Sequence, residues 1–262
     1  MKRTYPLITI ATVTYNAGSV LERTLRSVEA QAYPRIEHLL IDACSKDVTL
    51  SLMREYVERN TQPTHNIRVL SEPDKGLYDA MNKALRLADG HYLVFLNAGD
   101  TFHEDSTLEQ LVECIDWEER GVNPAVVYGE TDLVDNEGRF LRHRRLKAPE
   151  KLVVDSFKNG MLVCHQSFYV RTDIAKHIHF DLGYRYSSDY DWCIRVLKVA
   201  RRRRLNSLNT HLILTHYLSE GLTTKNHRKS LVERLRVMAQ HYGWPTAIGR
   251  HLWFIVRAVF CR

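Results

Sequence analysis

The chain has 262 residues, 44% of them hydrophobic and 26% charged, an ordinary globular composition with enough length to bury one or two cores. Lys and Arg outnumber Asp and Glu by 37 to 31, a net charge of +6. That mild basic lean suits a phosphate-bearing substrate or an anionic membrane face, and no nucleic-acid partner is expected. Five cysteines (Cys44, Cys114, Cys164, Cys193, Cys261) form no C-x-x-C pair, so neither a disulfide framework nor a zinc motif is indicated and a cytoplasmic setting is expected.

Met1-Lys2-Arg3 ahead of an apolar run imitates a signal peptide. However, the run is short, carries Thr9, Thr12 and Thr14, and leads into Tyr15-Asn16 without a small-residue cleavage site. Residues 7–14 therefore read as a buried first strand. The helical spacing of Val20, Leu21, Leu25 and Val28 predicts a helix over 19–32. A strand at 36–41, a helix at 49–59, a strand at 67–70, a helix at 77–88 and a strand at 92–96 follow. Apolar strands alternating with helices predict an α/β fold around a mostly parallel sheet covered on both faces. Ligands of such sheets sit outside the carboxyl ends of the strands. Polar clusters follow four of the strands: Thr14-Tyr15-Asn16, residues 42–47, residues 72–75 and residues 97–100. Together they describe a site.

Beyond Asp100 the pattern changes. A helix is predicted at 106–117, strands at 125–128 and 131–134, and a turn at Asn136-Glu137-Gly138 before Phe140-Leu141. Residues 161–170 read as a strand, 189–201 as a helix, 212–215 as a strand, and the chain from 229 onward as helical. No segment reaches the roughly 18 consecutive apolar residues that span a bilayer. One domain with a C-terminal helical extension is the expected organisation.

Three stretches carry the chemistry. Asn97-Ala98-Gly99-Asp100 places a carboxylate at a strand end behind a glycine, which suits a hard divalent cation shared with phosphate oxygens; Asp100 equally suits a cap or turn. In residues 71–83, Pro73 ends a strand and Lys75-Gly76 open a helix whose N-terminus can hold an anion. Asp74 there projects from the edge shared with Asp42 and Asp100, while Lys83 reads as a solvated partner of Asp79. Ser188-Asp189-Tyr190-Asp191 precedes an apolar helix, where Asp189 fits either an N-cap or a general base beside an acceptor hydroxyl.

In this order the pieces resemble glycosyltransferase family 2, the inverting nucleotide-sugar enzymes of GT-A type. The resemblance spans about 7–226. It rests on Thr14-Tyr15-Asn16, on Ile41-Asp42 with Ser45 and Asp47, and on Glu72-Pro73-Asp74-Lys75-Gly76-Leu77-Tyr78-Asp79-Ala80-Met81-Asn82-Lys83. It continues through Phe95-Leu96-Asn97-Ala98-Gly99-Asp100, His165-Gln166 and Ser188-Asp189-Tyr190. The E-P-D-x-G-[IL]-Y-D-A-M-N-K stretch and the later S-S-D-Y are most similar to the transferases of colanic-acid-like exopolysaccharide assembly.

The resemblance implies a GT-A catalytic domain over 1–226, with a nucleotide-sugar half at about 1–100, an acceptor half at about 101–226 and a helical extension at 227–262. It implies that Thr14, Tyr15 and Asp42 contact base and ribose, and that Asp74 lies over the nucleotide or donor sugar. Asp100 would hold Mn2+ or Mg2+ against the diphosphate, and Asp189 would be the base. His165 and Gln166 would line the pocket, with Asn16, Lys75, Asn97 and Asp191 completing the substrate-contacting set. His216, at a strand end, is a further candidate metal ligand, although such histidines are more often structural. Three positions depart from the family pattern: Ala43-Cys44 stands in place of Gly-Gly, a single carboxylate remains in the D-x-D-like motif, and 219–224 reads Ser-Glu-Gly-Leu-Thr-Thr where relatives carry Gly-Gly before Ser-Thr.

The expected reaction is a single displacement from a nucleotide-sugar, UDP-linked by family analogy, onto a glycan or lipid-linked acceptor in surface polysaccharide assembly. The alternative is a non-catalytic nucleotide-sugar-binding or membrane-docked scaffold. A nucleotidylyltransferase or a dinucleotide dehydrogenase is excluded because no Gly-rich phosphate loop follows the first strand. After Pro245, Leu252, Ile255, Val256 and Val259 share one helical face, flanked by Trp253 and Phe260 with Arg250 and Arg257 opposite. That pattern suits a helix lying on the cytoplasmic face of the inner membrane, the alternative being a helix that packs on the protein or on a second subunit.

Overall fold

The computed structural model describes residues 5–60, 65–118, 121–219 and 227–260. Its centre is a sheet ordered β3-β2-β1-β4-β8-β6-β9-β5, with β7 attached to β6. Strands β1 (Ile8–Thr14) and β2 (Ile36–Asp42) are buried along their whole lengths, which is why they read as continuous apolar runs rather than alternating ones. Together with β3 (His65–Ser71) and β4 (Tyr92–Phe95) they form a four-stranded parallel layer. Helices α1 (Leu21–Glu29), α2 (Thr49–Arg59) and α3 (Leu77–Leu87) make the crossovers. The chain winds outward from β1 through β2 to β3, then returns to place β4 on the other side of β1. The strand order therefore reverses between β1 and β4, and a crevice opens beyond their carboxyl ends.

The parallel pattern stops at β4. Strand β8 (Phe168–Arg171) runs antiparallel between β4 and β6 (Val126–Val134), β6 pairs parallel with β9 (Ser207–Leu218), and β5 (Thr101–Phe102) closes the edge antiparallel to β9. The sheet is thus mixed, all-parallel in its first half and with one further parallel pair, β6 with β9, in its second. Strand β7 (Phe140–His143) pairs antiparallel with β6. Helix α4 (Thr107–Ile115) follows β5, and the short α5 (Thr172–Ala175) follows β8. Helices α6 (Ser188–Arg202), α7 (His227–Tyr242) and α8 (Trp244–Phe260) complete the order. One core gathers α3, α6 and the sheet face carrying Ala11, Val13, Leu39 and Ile41; a second gathers α4 with Ile8, Ile10 and Val94.

Three local expectations are corrected. The strand predicted over 161–170 is strand only at Phe168–Arg171. Before it, two 3-10 turns, Val154–Asn159 and His165–Ser167, flank a loop. Met161 and Val163 bury their side chains there, and the Arg144 guanidinium donates to the carbonyls of Met161 and Leu162 in place of a strand partner. The two strands read around Gly129 are one. A Cβ on Gly129 would lie 2.5 Å from the Leu212 carbonyl oxygen, so this glycine marks close approach of β9 rather than a break. Lys83 is not a solvated partner of Asp79: it is 5% exposed and binds Glu72 at 3.1 Å and the Pro73 carbonyl at 2.7 Å, strapping the preceding loop to α3.

Candidate active site

A cavity of about 1190 Å³ fills the crevice at the strand-order reversal. Thr14, Tyr15 and Asn16 line it from the end of β1, Asp74 and Lys75 from the loop before α3, and Asn97 and Asp100 from the end of β4. His165, Gln166 and Asp189 close the opposite wall. The parallel sheet brings the first three groups together because its strands all end at one edge.

The loop before α3 is set by its own carboxylates. Asp74 accepts the Gly76 N–H at 2.8 Å, an orphan donor of the helix start, and Asp79 accepts the N–H of Lys75, the residue before that cap, at 3.0 Å. Gly76 at φ 116° adopts backbone that a side chain would strain. At the β4 end, Gly99 has φ +97°, and an added Cβ would meet Leu218 Cδ2 at 2.6 Å. This close approach lets the Leu218 N–H reach Asp100 Oδ1 at 2.9 Å, while the Gln166 amide donates to Oδ2 at 2.9 Å. Burial outweighs both hydrogen bonds and raises the Asp100 carboxyl to about 6.

Asp189 lies in the first turn of α6. Its Oδ1 accepts the Tyr190 N–H at 2.9 Å and the Tyr78 hydroxyl at 3.1 Å, and its Oδ2 faces His165 Nδ1 at 3.1 Å. The Asn97 amide nitrogen lies 3.0 Å from His165 Nε2. With that amide nitrogen donating to Nε2, His165 Nδ1 is placed to donate to Asp189. Burial pushes the Asp189 carboxyl up, but the His165 hydrogen bond, the Arg234 charge and the Tyr190 N–H together hold it below the usual aspartate range. Asp189 is therefore a carboxylate at neutral pH. Burial and the Asp189 charge push the Tyr78 hydroxyl well above its ordinary value, so it stays a donor. Through the consecutive residues His165 and Gln166, one short turn ties the Asp189 and Asp100 carboxylates to a single wall.

Three sequence candidates are not brought to this cavity. Asp42 is fully buried and accepts from Thr14 Oγ1 at 3.0 Å, Ser45 N at 2.9 Å, Ser71 Oγ at 2.8 Å and the Ser45 hydroxyl. Its carboxylate knits the ends of β1, β2 and β3 rather than opening to a ligand. Asp191, 1% exposed, pairs with Arg195 Nε at 2.7 Å and His241 Nε2 at 2.7 Å, joining α6 to α7. His216 does not line the cavity that Asp100 borders; its Nε2 faces His103 Nδ1 at 2.9 Å. Residues 220–224 of the departing segment lie outside the described residues. Cys44, in the other departing segment, sits at φ 55°, the left-handed conformation that glycine adopts without strain.

Residues 9–178 match the sequence profile described as Glycosyl transferase family 2. The chain belongs to that family. Among curated relatives, a PGL/p-HBAD biosynthesis glycosyltransferase of Mycobacterium bovis (strain BCG / Pasteur 1173P2) is 26% identical, covering 94% of this chain and 93% of the relative. Among solved structures, S. aureus TarS 1-349 in complex with UDP-GlcNAc superposes with a TM-score of 0.69 at 16% identity, over 95% of this chain and 73% of that one. The mannosyltransferase PcManGT from Pyrobaculum calidifontis, in complex with GDP-Man and Mn2+, gives 0.62 at 16% identity, over 98% of this chain and 76% of that one. These likenesses establish the fold of a family 2 glycosyltransferase.

Sequence reasoning misses part of the wall. In the sequence Tyr78 is only one letter of a motif, yet its position on α3 puts the phenol against Asp189. Tyr184, Arg185, Tyr217 and Leu218 also line the cavity. Of these, only the aromatic and basic character of Tyr184-Arg185 just ahead of Ser188 offers a signal.

Proposed function

We propose that this glycosyltransferase moves a hexose or N-acetylhexosamine from a UDP-linked donor onto an acceptor hydroxyl with inversion, Asp189 acting as the base. The carrying observation is the Asp189 carboxyl group facing the same cavity as the buried Asp100 and joined to it through His165-Gln166. The nucleotide would lie along Thr14-Tyr15-Asn16 and Asp74, where Tyr15, 65% exposed, offers a ring face to the base. Asp42 contributes by holding those strand ends in place.

The residues around Asp100 fit a hard divalent cation. Each carboxylate oxygen uses one hydrogen bond and keeps acceptor capacity, and the buried Asn97 Oδ1 on the same segment has no hydrogen-bond partner. Asp100 and Asn97 would hold Mn2+ or Mg2+, which would supply Lewis-acid neutralisation of the departing diphosphate. Asp189 accepts the acceptor proton as the hydroxyl attacks the anomeric carbon from the face opposite the diphosphate. Tyr78 and His165 fix the orientation of that carboxylate. Positioned base catalysis of this kind contributes about 10²–10⁴-fold.

A lipid-linked glycan of surface polysaccharide assembly, met at the cytoplasmic face of a membrane, is the acceptor class we favour. Among the described residues no helix is long and apolar enough to cross a membrane. Instead α8 exposes Trp244, Ile248, Leu252, Trp253 and Val256, four of them at helical spacing, as on a helix that lies in a bilayer surface. The side chains of Ile255, Arg257, Val259 and Phe260 lie outside the described residues.

Release of UDP from a panel of UDP-sugars with Mn2+ and an acceptor extract tests the reading. A scaffold would bind the donor and release no UDP. Calorimetry adds a second check: Mn2+ affinity should rise when UDP is present, because diphosphate oxygens complete a shell that the protein fills only in part.

A further inference from the structure

A group of metal-ligating side chains stands apart from the cavity, where β5, β9, β6 and β7 lie side by side. In register, Thr101 pairs with His216, His216 with Asp132, and Asp132 with His143. Residues opposite one another share a sheet face, and His103 returns to the face of Thr101 two residues on. The strand order thus gathers on one face four residues that the sequence separates by as many as 113 positions.

The atoms meet closely. One nitrogen of His103, one of His216 and one Asp132 oxygen all lie within 4.8 Å of one another. The His103 and His216 rings stand at 85° with Nδ1 and Nε2 2.9 Å apart. His143 Nδ1 lies 2.8 Å from Asp132 Oδ1. Asp132 is 4% exposed, and a buried carboxylate needs a charged or strongly polar partner. The His143 imidazole offers charge only when protonated. Around a tetrahedral ion with ligands at about 2.0–2.1 Å, neighbouring ligand atoms are roughly 3.4 Å apart. The three ligand atoms, all within 4.8 Å of one another, lie close to that spacing.

We propose that His103, Asp132 and His216 form a second metal site, built for a borderline transition-metal ion such as Zn2+ and separate from the cation expected at Asp100. Two imidazoles and one carboxylate match Zn2+ chemistry and are poor for Mg2+, which prefers an all-oxygen shell. His143 orients the Asp132 carboxylate from outside the ligand set. The ion cross-links the two-residue strand β5 to β9 and β6. Because β5 starts at Thr101, it braces the chain immediately after Asp100. The site does not depend on what the cavity transfers.

Untagged full-length protein stripped with EDTA, titrated with Zn2+ by calorimetry in the absence of nucleotide, tests this, with Co2+ as a coloured substitute. Wild type should take up a single saturating equivalent, show visible Co2+ absorption and melt at higher temperature with Zn2+. His103→Ala, whose ring is partly exposed, and His216→Ala should each weaken uptake by about tenfold or more and lose the Zn2+-dependent rise in Tm. Asp100→Asn should bind Zn2+ as wild type does. Absence of saturable uptake in wild type, uptake unchanged in both histidine variants, or uptake lost in Asp100→Asn would each overturn the proposal. Circular dichroism of each variant separates loss of the site from loss of the fold.

Discussion

Replacing Asp100 by Asn should reverse the order of stability of wild type and variant across a few pH units. Burial raises the Asp100 carboxyl from 3.8 to about 6, so the folded protein holds that proton more tightly than the unfolded chain does. The associated stabilisation is complete below about pH 4 and is lost as pH rises through about 6. A rise of that size corresponds to about 3 kcal/mol. Asn cannot ionise and escapes the loss, but it exchanges an acceptor for a donor opposite the Gln166 amide, a pH-independent cost of about 1 kcal/mol. Metal-free wild type should therefore be more stable by about 1 kcal/mol near pH 4, and Asp100→Asn more stable by about 2 kcal/mol at pH 7. Urea denaturation of the two EDTA-treated proteins, run in parallel from pH 4 to pH 7, measures the difference directly and cancels the titration of other groups. Mn2+ with UDP should then restore wild type at pH 7 and leave the variant unmoved. A stability difference that stays flat with pH would refute the assignment of a charge penalty, and with it the argument that Asp100 is held ready for a cation.

Asp189→Asn should keep UDP affinity and lower transfer by about 10²-fold or more. Asp191→Asn, read by thermal melting and turnover, should spare transfer relative to folded protein and cost about 3 kcal/mol by stranding Arg195 and His241. Gly99→Ala combines a strained φ of +97° with a 2.6 Å approach to Leu218. It should cost about 1–3 kcal/mol in urea denaturation and weaken Mn2+-dependent UDP binding as the Leu218 N–H leaves Asp100. The double variant Leu252→Glu, Trp253→Glu changes two side chains that are 59% and 53% exposed, so it should fold as wild type does yet stop sedimenting with anionic vesicles at low salt. Equal sedimentation of the two proteins would remove α8 from the membrane reading.

The legible parts of this molecule are those governed by local periodicity. Ile8–Thr14 and Ile36–Asp42 read as strands because both faces are buried, and Thr49–Arg59 reads as a helix to the residue. Because parallel strands end at one edge, polar residues after β1 and β4 are assignable to one site from sequence alone. What stays hidden depends on partners far along the chain. Asp191 resembles Asp189 in sequence, and His241, 50 residues later, decides that it braces two helices. Asp42 looks available until Thr14, Ser45 and Ser71 are seen to converge on it. His216 suggests a ligand for the Asp100 cation, but strand pairing sends it to His103 and Asp132. The loop before β8 misleads because buried Met161 and Val163 look alike in a strand and in a loop pinned by Arg144.

The central claim is inverting transfer with Asp189 as the base, and the most direct measurement needs no acceptor. Family 2 chemistry at this cavity should hydrolyse the donor slowly when water occupies the acceptor position. Proton NMR of Mn2+-loaded protein at high concentration, mixed with a UDP-α-sugar that it turns over, reports the first anomer released before mutarotation. The account predicts the β-anomer, formed by wild type and strongly diminished in Asp189→Asn. Initial release of the α-anomer, or equal β-release by the variant, would contradict it.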